Sequence, residues 1–378
     1  MPLAILQMSD TPQIESTALM LRNAGYEIKV CGKNLRDTLI KDAGCDTVLA
    51  VSQMIALGYD ELEGTIPEAS VPDMDKCDLF VEIKIRNVQK IWNRWPRLQG
   101  RTMYWRVNGA QPEICPKGGD EVNLICPVAT ACLWYGVERY YQTRTVKPIQ
   151  AQSELEHLSN RSVTPEDFAK IFDTYQSRAN GMAYTFWPPY PRSAPYDAIE
   201  RAGLVDFTSP YCVAHSVRAW GYGEIIDECT KLGIKIYGNN SPDGQVKHQD
   251  VPKIASTAKA LVHLKSVDCP GWALYEAILA GCPVITGRLL NSRMLAYDLL
   301  DHGKTCLEFG VPASLEYGRG PMEMEKCVAD IKEALAILSD PGMNYQIGRA
   351  AKIRLNELMW NVERDGSSFN DWIRKWFM

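Results

Sequence analysis

Two acidic residues, Asp268 and Glu276, are separated by seven residues and lead directly into a turn between a helix and a strand. Residues 272–280 have a helix-forming composition with one apolar face, and residues 283–286 have the composition of a short core strand. Gly281 fits the position just after a helix C-terminus. Carboxylates accept hydrogen bonds from hydroxyl groups, and the first amides of a helix favour phosphate. The segment therefore predicts a site for a ligand with both hydroxyl and phosphate groups.

Glu276 lies about one turn into this predicted helix. At a rise of about 1.5 Å per residue, its carboxylate is roughly 6 Å from the start of the helix. It can therefore accept hydrogen bonds from a ribose while the helix terminus holds a diphosphate. The amides of Gly271, Trp272 and Ala273, together with Ser266, are the candidates for the phosphate and sugar contacts.

The segment resembles the donor-binding motif of retaining glycosyltransferases with the GT-B fold, especially the family 4 type. That motif is Glu, seven residues, Glu, then Ala-x-x-x-Gly-x-Pro-Val-Ile. The residues that match it are Glu276, Ala277, Gly281, Pro283, Val284 and Ile285. Asp268 departs from it, because its side chain is one methylene shorter than the family's first Glu. The alternative interpretation is that the stretch is only the packing signature of some other α/β protein.

The resemblance implies an α/β protein with two Rossmann-like domains that face each other across a cleft. Residues 1–190 would form the acceptor-side domain and residues 191–355 the nucleotide-sugar donor domain, with residues 356–378 as a helical tail packing back on the first. Asp268 would orient the sugar and Glu276 the ribose. Transfer would come from a nucleotide-diphosphate sugar, with a UDP-sugar expected, and would retain the anomeric configuration. No cofactor and no metal are expected.

In this family, a basic pair neutralises the leaving diphosphate, but the usual Gly-Arg-x-x-x-x-Lys-Gly stretch is absent. Arg218 and Lys265 are the candidate substitutes, and either could equally be a solvated surface charge. Gly238 follows a predicted strand, as a glycine does in the family's donor domain.

Two other classes of function stay open. One is an epimerase or phosphorylase on the same scaffold, and the other is a non-catalytic protein that senses a nucleotide.

Length and composition agree with a two-domain globular protein. The chain has 378 residues, of which 46% are hydrophobic and 23% charged, and its net charge is −5. The 12 cysteines show no zinc-like spacing, which favours reduced thiols of a cytoplasmic protein. No run of about 18 apolar residues occurs, so no membrane span is expected.

The order of predicted elements favours parallel sheets. The first half opens with a strand, helix and strand over residues 3–8, 11–25 and 27–31, and lacks a G-x-G-x-x-G fingerprint for NAD or FAD. Its further strands are predicted over residues 78–85, 102–107, 122–126 and 182–186. Residues 188–191, Pro-Pro-Tyr-Pro, read as a stiff connection. The second half has predicted strands over 204–207, 234–237, 260–264 and 283–286, and helices over 219–232 and from Asp250.

A basic segment, residues 83–106, contains seven lysines and arginines and no acidic residue, with three tryptophans interleaved. Such a pattern can bind phosphates and stack bases, so DNA carrying a hydroxymethylated base is one predicted acceptor. The protein would then resemble the phage enzymes that attach sugars to their own genomes. The segment could instead be the polar face of a helix packed on the sheet. A small molecule or an envelope glycan is the alternative acceptor. The acceptor-side candidates are Arg94, Arg97, Arg106 and Asn108.

Overall fold

The structure is a computed structural model that describes residues 1–7, 11–31, 74–82, 95–98, 101–105, 129–131, 187–190, 194–213, 223–238, 241–247, 250–264, 272–287, 299–310 and 324–378. Within these ranges, ten strands form two five-stranded sheets, accompanied by eight α-helices.

The first sheet is parallel and has the strand order β2-β1-β3-β4-β5. Its strands are β1 (Leu3–Gln7), β2 (Glu27–Cys31), β3 (Cys77–Glu82), β4 (Thr102–Trp105) and β5 (Ala129–Ala131). Helix α1 (Thr11–Asn23) joins β1 to β2, so the predicted strand–helix–strand opening is confirmed. β3 and β4 overlap the strands predicted over 78–85 and 102–107. β5 was not predicted, and the strands predicted over 122–126 and 182–186 lie outside the described residues.

The second sheet is also parallel, with the order β10-β9-β8-β6-β7. Its strands are β6 (Tyr211–Val213), β7 (Lys235–Tyr237), β8 (Leu261–His263), β9 (Val284–Gly287) and β10 (Leu307–Phe309). Four helices precede or connect them: α2 (Ala194–Asp197), α3 (Gly223–Lys231), α4 (Val251–Thr257) and α5 (Trp272–Leu279). The predicted strands over 234–237, 260–264 and 283–286 correspond to β7, β8 and β9.

The strand predicted over residues 204–207 is wrong. These residues follow a turn at Gly203, whose φ is +77°, and the Leu204 amide donates to the Arg201 carbonyl. Val205 is 63% exposed, so it does not contribute to the core. The strand begins only after Pro210, at Tyr211, where Tyr211 and Cys212 are buried. Apolar composition alone could not distinguish the exposed stretch from the buried one.

The chain ends in three helices, α6 (Met324–Ile337), α7 (Pro341–Leu358) and α8 (Val362–Phe377). α6 packs on the second sheet, where Cys327 and Ile331 share a buried cluster with Phe309. α8 instead packs on α1 and the first sheet. The α8 residues buried in that cluster are Phe369, Trp372, Ile373 and Phe377. Trp360 and Trp372 are both buried and have packing roles.

Helix α7 crosses the end of α5 at close range. A Cβ atom built on Gly348 would lie 2.0 Å from the carbonyl oxygen of Gly281, so the crossing has no room for a side chain. Beside it, Arg201 is buried, and burial lowers the pKa of its guanidinium. That guanidinium bonds, at 2.8–2.9 Å, the carbonyls of Ala255, Ser256 and Ala258 and the Oδ1 of Asn344. These contacts join α4 and α7 to the turn before β6.

In the described part of the chain, no helix has the length and apolar character needed to cross a lipid bilayer.

We expect Gly348→Ala to destabilise the protein, because the added methyl would force α7 away from the Gly281 carbonyl. Overpacking of this kind costs about 1–3 kcal/mol. Thermal unfolding followed by circular dichroism should show a midpoint lower by several degrees. Gln346→Ala, on the exposed side of the same helix, is the matched control and should unfold close to wild type. Equal midpoints for Gly348→Ala and wild type would contradict the close crossing.

Candidate functional site

The candidate site lies at the carboxyl edge of the second sheet. All strands of a parallel sheet end at the same edge, where ligands of open α/β folds bind. Gly238 follows β7, and helix α5 starts after β8, so both approach this edge. His263 of β8 and Thr286 of β9 are direct neighbours in the register and are both buried. His263 is only 4% exposed and therefore occupies a core position.

Helix α5 places Glu276 in the interior. Its residues 274–279 are all buried, because the helix is apolar on every side except for Glu276. It ends in a Schellman motif: the Cys282 amide donates to the Ala277 carbonyl and the Gly281 amide to the Ile278 carbonyl. Gly281 has a φ of +70°, which a residue with a side chain adopts only with strain. The predicted helix end at Gly281 is therefore confirmed.

Glu276 is only 5% exposed and accepts a hydrogen bond from the hydroxyl of Tyr190. The distance from the Tyr190 hydroxyl to Oε1 is 2.6 Å, which lies in the range of hydrogen bonds to ionised carboxylates. A buried carboxylate requires such a partner, since its desolvation is costly. Glu276 also acts on its surroundings: the pKa of the Tyr211 phenol is raised well above its usual value, first by burial and then by the nearby Cys282 thiol and Glu276 carboxylate.

Aromatic rings surround the start of α5. Tyr190 lies 5.6 Å from Trp272 and 6.3 Å from Tyr275, measured between ring centroids, and Trp272 lies 5.6 Å from Tyr275. Tyr196 of α2 meets the edge of Tyr190 at 6.0 Å. Trp272 is half-buried and packs against both the core of the first sheet and the core around α5. The helix that carries Glu276 therefore begins where the two cores meet.

Sequence reasoning missed Tyr190 as a site residue. Residues 188–191 were interpreted only as a stiff connection between domains. In the structure, residues 187–190 are all buried and Tyr190 contacts the candidate site. The available signal was a tyrosine held between prolines, whose fixed φ leaves its position well determined. Tyrosine combines a large apolar ring with one hydroxyl that needs a partner when buried. A buried Glu elsewhere in the chain is such a partner.

Gly238 begins a loop that returns against β7. Its φ is +142°, and its amide donates to the Gly244 carbonyl at 2.9 Å. Asp243 holds this loop: it accepts from the Ile236 amide at 2.7 Å and from the Lys235 ammonium at 3.0 Å. Burial opposes ionisation of Asp243, but these two donors outweigh it and lower its pKa. The Asp243 carboxylate thus holds the loop after the edge strand together with backbone hydrogen bonds.

Of the other site residues predicted from the sequence, some lie within the ranges that the structure describes and some lie outside them. Ala273, in the first turn of α5, is half-buried. Arg97, in the 3₁₀ turn Pro96–Leu98, is exposed, and its guanidinium donates to the Met74 carbonyl at 2.6 Å. In the described ranges, no group of three or more His, Cys, Asp or Glu side chains is arranged to hold a metal ion. The candidates outside the described residues are Arg94, Arg106, Asn108, Arg218, Lys265, Ser266, Asp268 and Gly271.

Three solved structures share the overall fold of this chain. HepE of Anabaena, in complex with UDP and glucose, is 12% identical, with 99% of each chain covered and a TM-score of 0.53. The sucrose-phosphate synthase of Thermosynechococcus elongatus is 13% identical, with 99% of this chain and 98% of that chain covered and a TM-score of 0.53. TarM is 8% identical, with 100% and 99% covered and a TM-score of 0.54. At such identities the likeness shows the fold, and it confirms the expected α/β architecture with two parallel sheets.

No protein-family model matches the sequence, and no curated protein is similar to it in sequence. The likeness to the solved structures is therefore one of fold.

We expect the contribution of Asp243 to stability to depend on pH. A carboxyl whose pKa is lowered by folding stabilises the folded state above its unfolded pKa of about 3.9. That contribution is lost as the pH falls through the lower folded pKa. Asp243→Asn should therefore be less stable than wild type by about 1 kcal/mol at pH 7. The difference should shrink below about pH 4, where the unfolded chain begins to bind a proton at Asp243 while the folded protein, with its lowered pKa, does not.

Urea unfolding of both proteins between pH 7 and pH 3 measures this difference. Asp206→Asn, at an exposed residue before β6, is the matched control and should show no such trend. A difference between Asp243→Asn and wild type that stays constant down to pH 3 would show that the charge of Asp243 does not stabilise the loop.

Proposed function

We propose that the protein is a glycosyltransferase that moves a sugar from a nucleotide-diphosphate sugar, a UDP-sugar, to an acceptor hydroxyl. The observation that carries this proposal is the buried Glu276, bonded to Tyr190 at 2.6 Å, in a helix that begins at the carboxyl edge of a parallel sheet. The shared fold supports it, because HepE is described in complex with UDP and glucose.

The proposed donor spans the first turn of α5. The ribose hydroxyls donate to Glu276, while the diphosphate lies against the amides of Gly271, Trp272 and Ala273. Glu276 is the fifth residue of α5, so at about 1.5 Å per residue it is roughly 6 Å from the helix start. One nucleotide can therefore reach both parts of the helix. Gly238 lies at the end of the edge strand, where a small residue lets the ligand approach the backbone.

The chemistry we propose is transfer with retention of the anomeric configuration. The bond from the anomeric carbon to the diphosphate oxygen breaks, and its electron pair stays on the diphosphate. The acceptor oxygen forms its bond on the same face of the sugar, and its proton passes to the departing phosphate oxygen. Helix amides, with Arg218 and Lys265, would stabilise the charge of the leaving group. Asp268 and Ser266 would orient the sugar.

For the acceptor we propose DNA with hydroxymethylated pyrimidines, bound through the basic segment. The support is the charge of residues 83–106 in a protein whose net charge is −5. Trp95 is buried and Arg97 bonds the Met74 carbonyl, so these two residues also have packing roles. Arg94 and Arg106 are then the better candidates for phosphate contacts, with Asn108 beside the acceptor base.

A panel of UDP-, GDP-, ADP- and dTDP-sugars tests the donor half of the proposal. We expect turnover with a UDP-sugar, seen as release of UDP or free sugar. Glu276→Gln should weaken UDP binding by about 10- to 100-fold, the range expected for the loss of hydrogen bonds to a charged group. The change is nearly isosteric, so thermal unfolding should be close to that of wild type.

Glu200→Gln, at an exposed residue before β6, is the matched control and should bind UDP as wild type does. Binding of UDP without turnover of any donor would contradict the enzyme proposal and favour a nucleotide sensor. Conversion of the donor sugar to its epimer, without transfer, would favour an epimerase. Unchanged UDP affinity in Glu276→Gln would remove the ribose role.

The acceptor half is tested with hydroxymethylated DNA and a UDP-sugar. Arg94→Ala should reduce transfer to DNA and make DNA binding less dependent on salt. Each lost phosphate contact makes the negative slope of log K for DNA binding against log salt shallower by about 0.9. The double variant Arg94→Ala with Arg97→Ala should have a still shallower slope. Arg349→Ala, at an exposed residue of α7, is the control. An unchanged salt dependence in the double variant would exclude the basic segment as a phosphate track.

A further inference from the structure

The hydrogen bond between Tyr190 and Glu276 joins two distant parts of the chain, 86 residues apart in sequence. Tyr190 lies after the first sheet and before the second, in the segment Trp187–Pro188–Pro189–Tyr190, and Glu276 lies in α5. Both side chains are buried, with Tyr190 4% and Glu276 5% exposed. The bond is therefore shielded from water, where a hydrogen bond to a charged group is stronger than at a surface.

The ring of Tyr190 is held from several sides. It contacts Trp272, Tyr275 and Tyr196 at 5.6, 6.3 and 6.0 Å between ring centroids. Its backbone follows two prolines, whose φ angles are fixed near −65°. The same segment is anchored at its other end, because the Trp187 carbonyl accepts from the Trp360 amide at 2.8 Å. The Tyr190 hydroxyl therefore has little freedom to leave Oε1.

We propose that Tyr190 is a positioning residue for Glu276 and thereby makes the donor site specific for nucleotides with ribose hydroxyls over 2′,3′-dideoxy nucleotides, which lack them. The inference rests on the proposed function, in which Glu276 receives the ribose hydroxyls. A carboxylate offers about four lone-pair sites on two oxygens. Tyr190 uses one of them and fixes the rotation of the carboxylate plane, so the hydroxyls meet a preset acceptor.

The energetic reason is preorganisation. A glutamate has rotatable bonds that must be fixed when a ligand binds, and fixing them costs binding free energy. With Tyr190 in place, the Glu276 side chain already loses this conformational freedom when the protein folds, so ligand binding does not have to fix it. A ligand that has no ribose hydroxyls cannot use the preset carboxylate, so only ligands that have them gain from Tyr190. The effect of removing the Tyr190 hydroxyl must therefore depend on the sugar of the nucleotide.

The test compares two nucleotides, UDP and 2′,3′-dideoxy-UDP, by isothermal titration calorimetry on the full-length protein. Wild type should bind UDP more tightly. Tyr190→Phe removes only the hydroxyl, and it should weaken UDP by about 10-fold while leaving 2′,3′-dideoxy-UDP unchanged. Tyr211→Phe is the matched control. Its hydroxyl lies in the same buried cluster and has no hydrogen-bond partner among the described residues, so both affinities should stay at the wild-type values.

Each outcome decides the proposal. Selective loss of UDP affinity in Tyr190→Phe supports it. An equal loss for both nucleotides would overturn it, because a purely structural role weakens the site without regard to the sugar. No loss for either nucleotide, in a wild type that prefers UDP, would overturn it while leaving the role of Glu276 intact. A wild type that binds neither nucleotide, or both equally, would overturn the ribose assignment itself and the inference with it.

Discussion

The enclosure of helix α5 is the constraint on which the candidate site depends. α5 contacts α2, α4 and α7 as well as strands β8 and β9. Six consecutive residues, 274–279, are buried, and the Gly281–Gly348 contact brings α7 against its end without space for a methyl group. Protein interiors are close-packed and transmit strain, so a helix enclosed in this way cannot slide or rotate alone. The position of Glu276 is set by apolar packing first, and its orientation by Tyr190.

An ionisable side chain within such a helix is unusual. Glu276 is the only charged residue between 272 and 287, and burying a carboxylate is costly unless it is hydrogen-bonded. A leucine or methionine at this position would fit a core helix better, so packing alone does not account for the carboxylate. Arg201, by contrast, bonds carbonyls of α4 and Asn344 of α7 through both terminal nitrogens of its guanidinium, which is the pattern of a structural group.

The sequence predicted what depends on short-range pattern. The apolar runs of β7, β8 and β9, the opening strand–helix–strand unit and the helix end at Gly281 all follow from local composition and backbone preference. It did not predict the contacts that need tertiary structure. Residues 204–207 have strand-like composition but form no strand, with Val205 and Asp206 exposed, and the partner of Glu276 lies 86 residues away. The motif identified the carboxylate, but no local pattern indicates which tyrosine meets it.

The packing of α8 has a consequence for the order in which the protein acquires its structure during synthesis. Phe369, Trp372, Ile373 and Phe377 complete the core formed by β1, β3 and α1, although the strands of that sheet are made from residues 3–131. While the ribosome translates the second sheet, the first sheet therefore keeps part of its apolar surface uncovered. Such surface is prone to aggregation. Final burial of the apolar surface of the first sheet must therefore await the synthesis of α8.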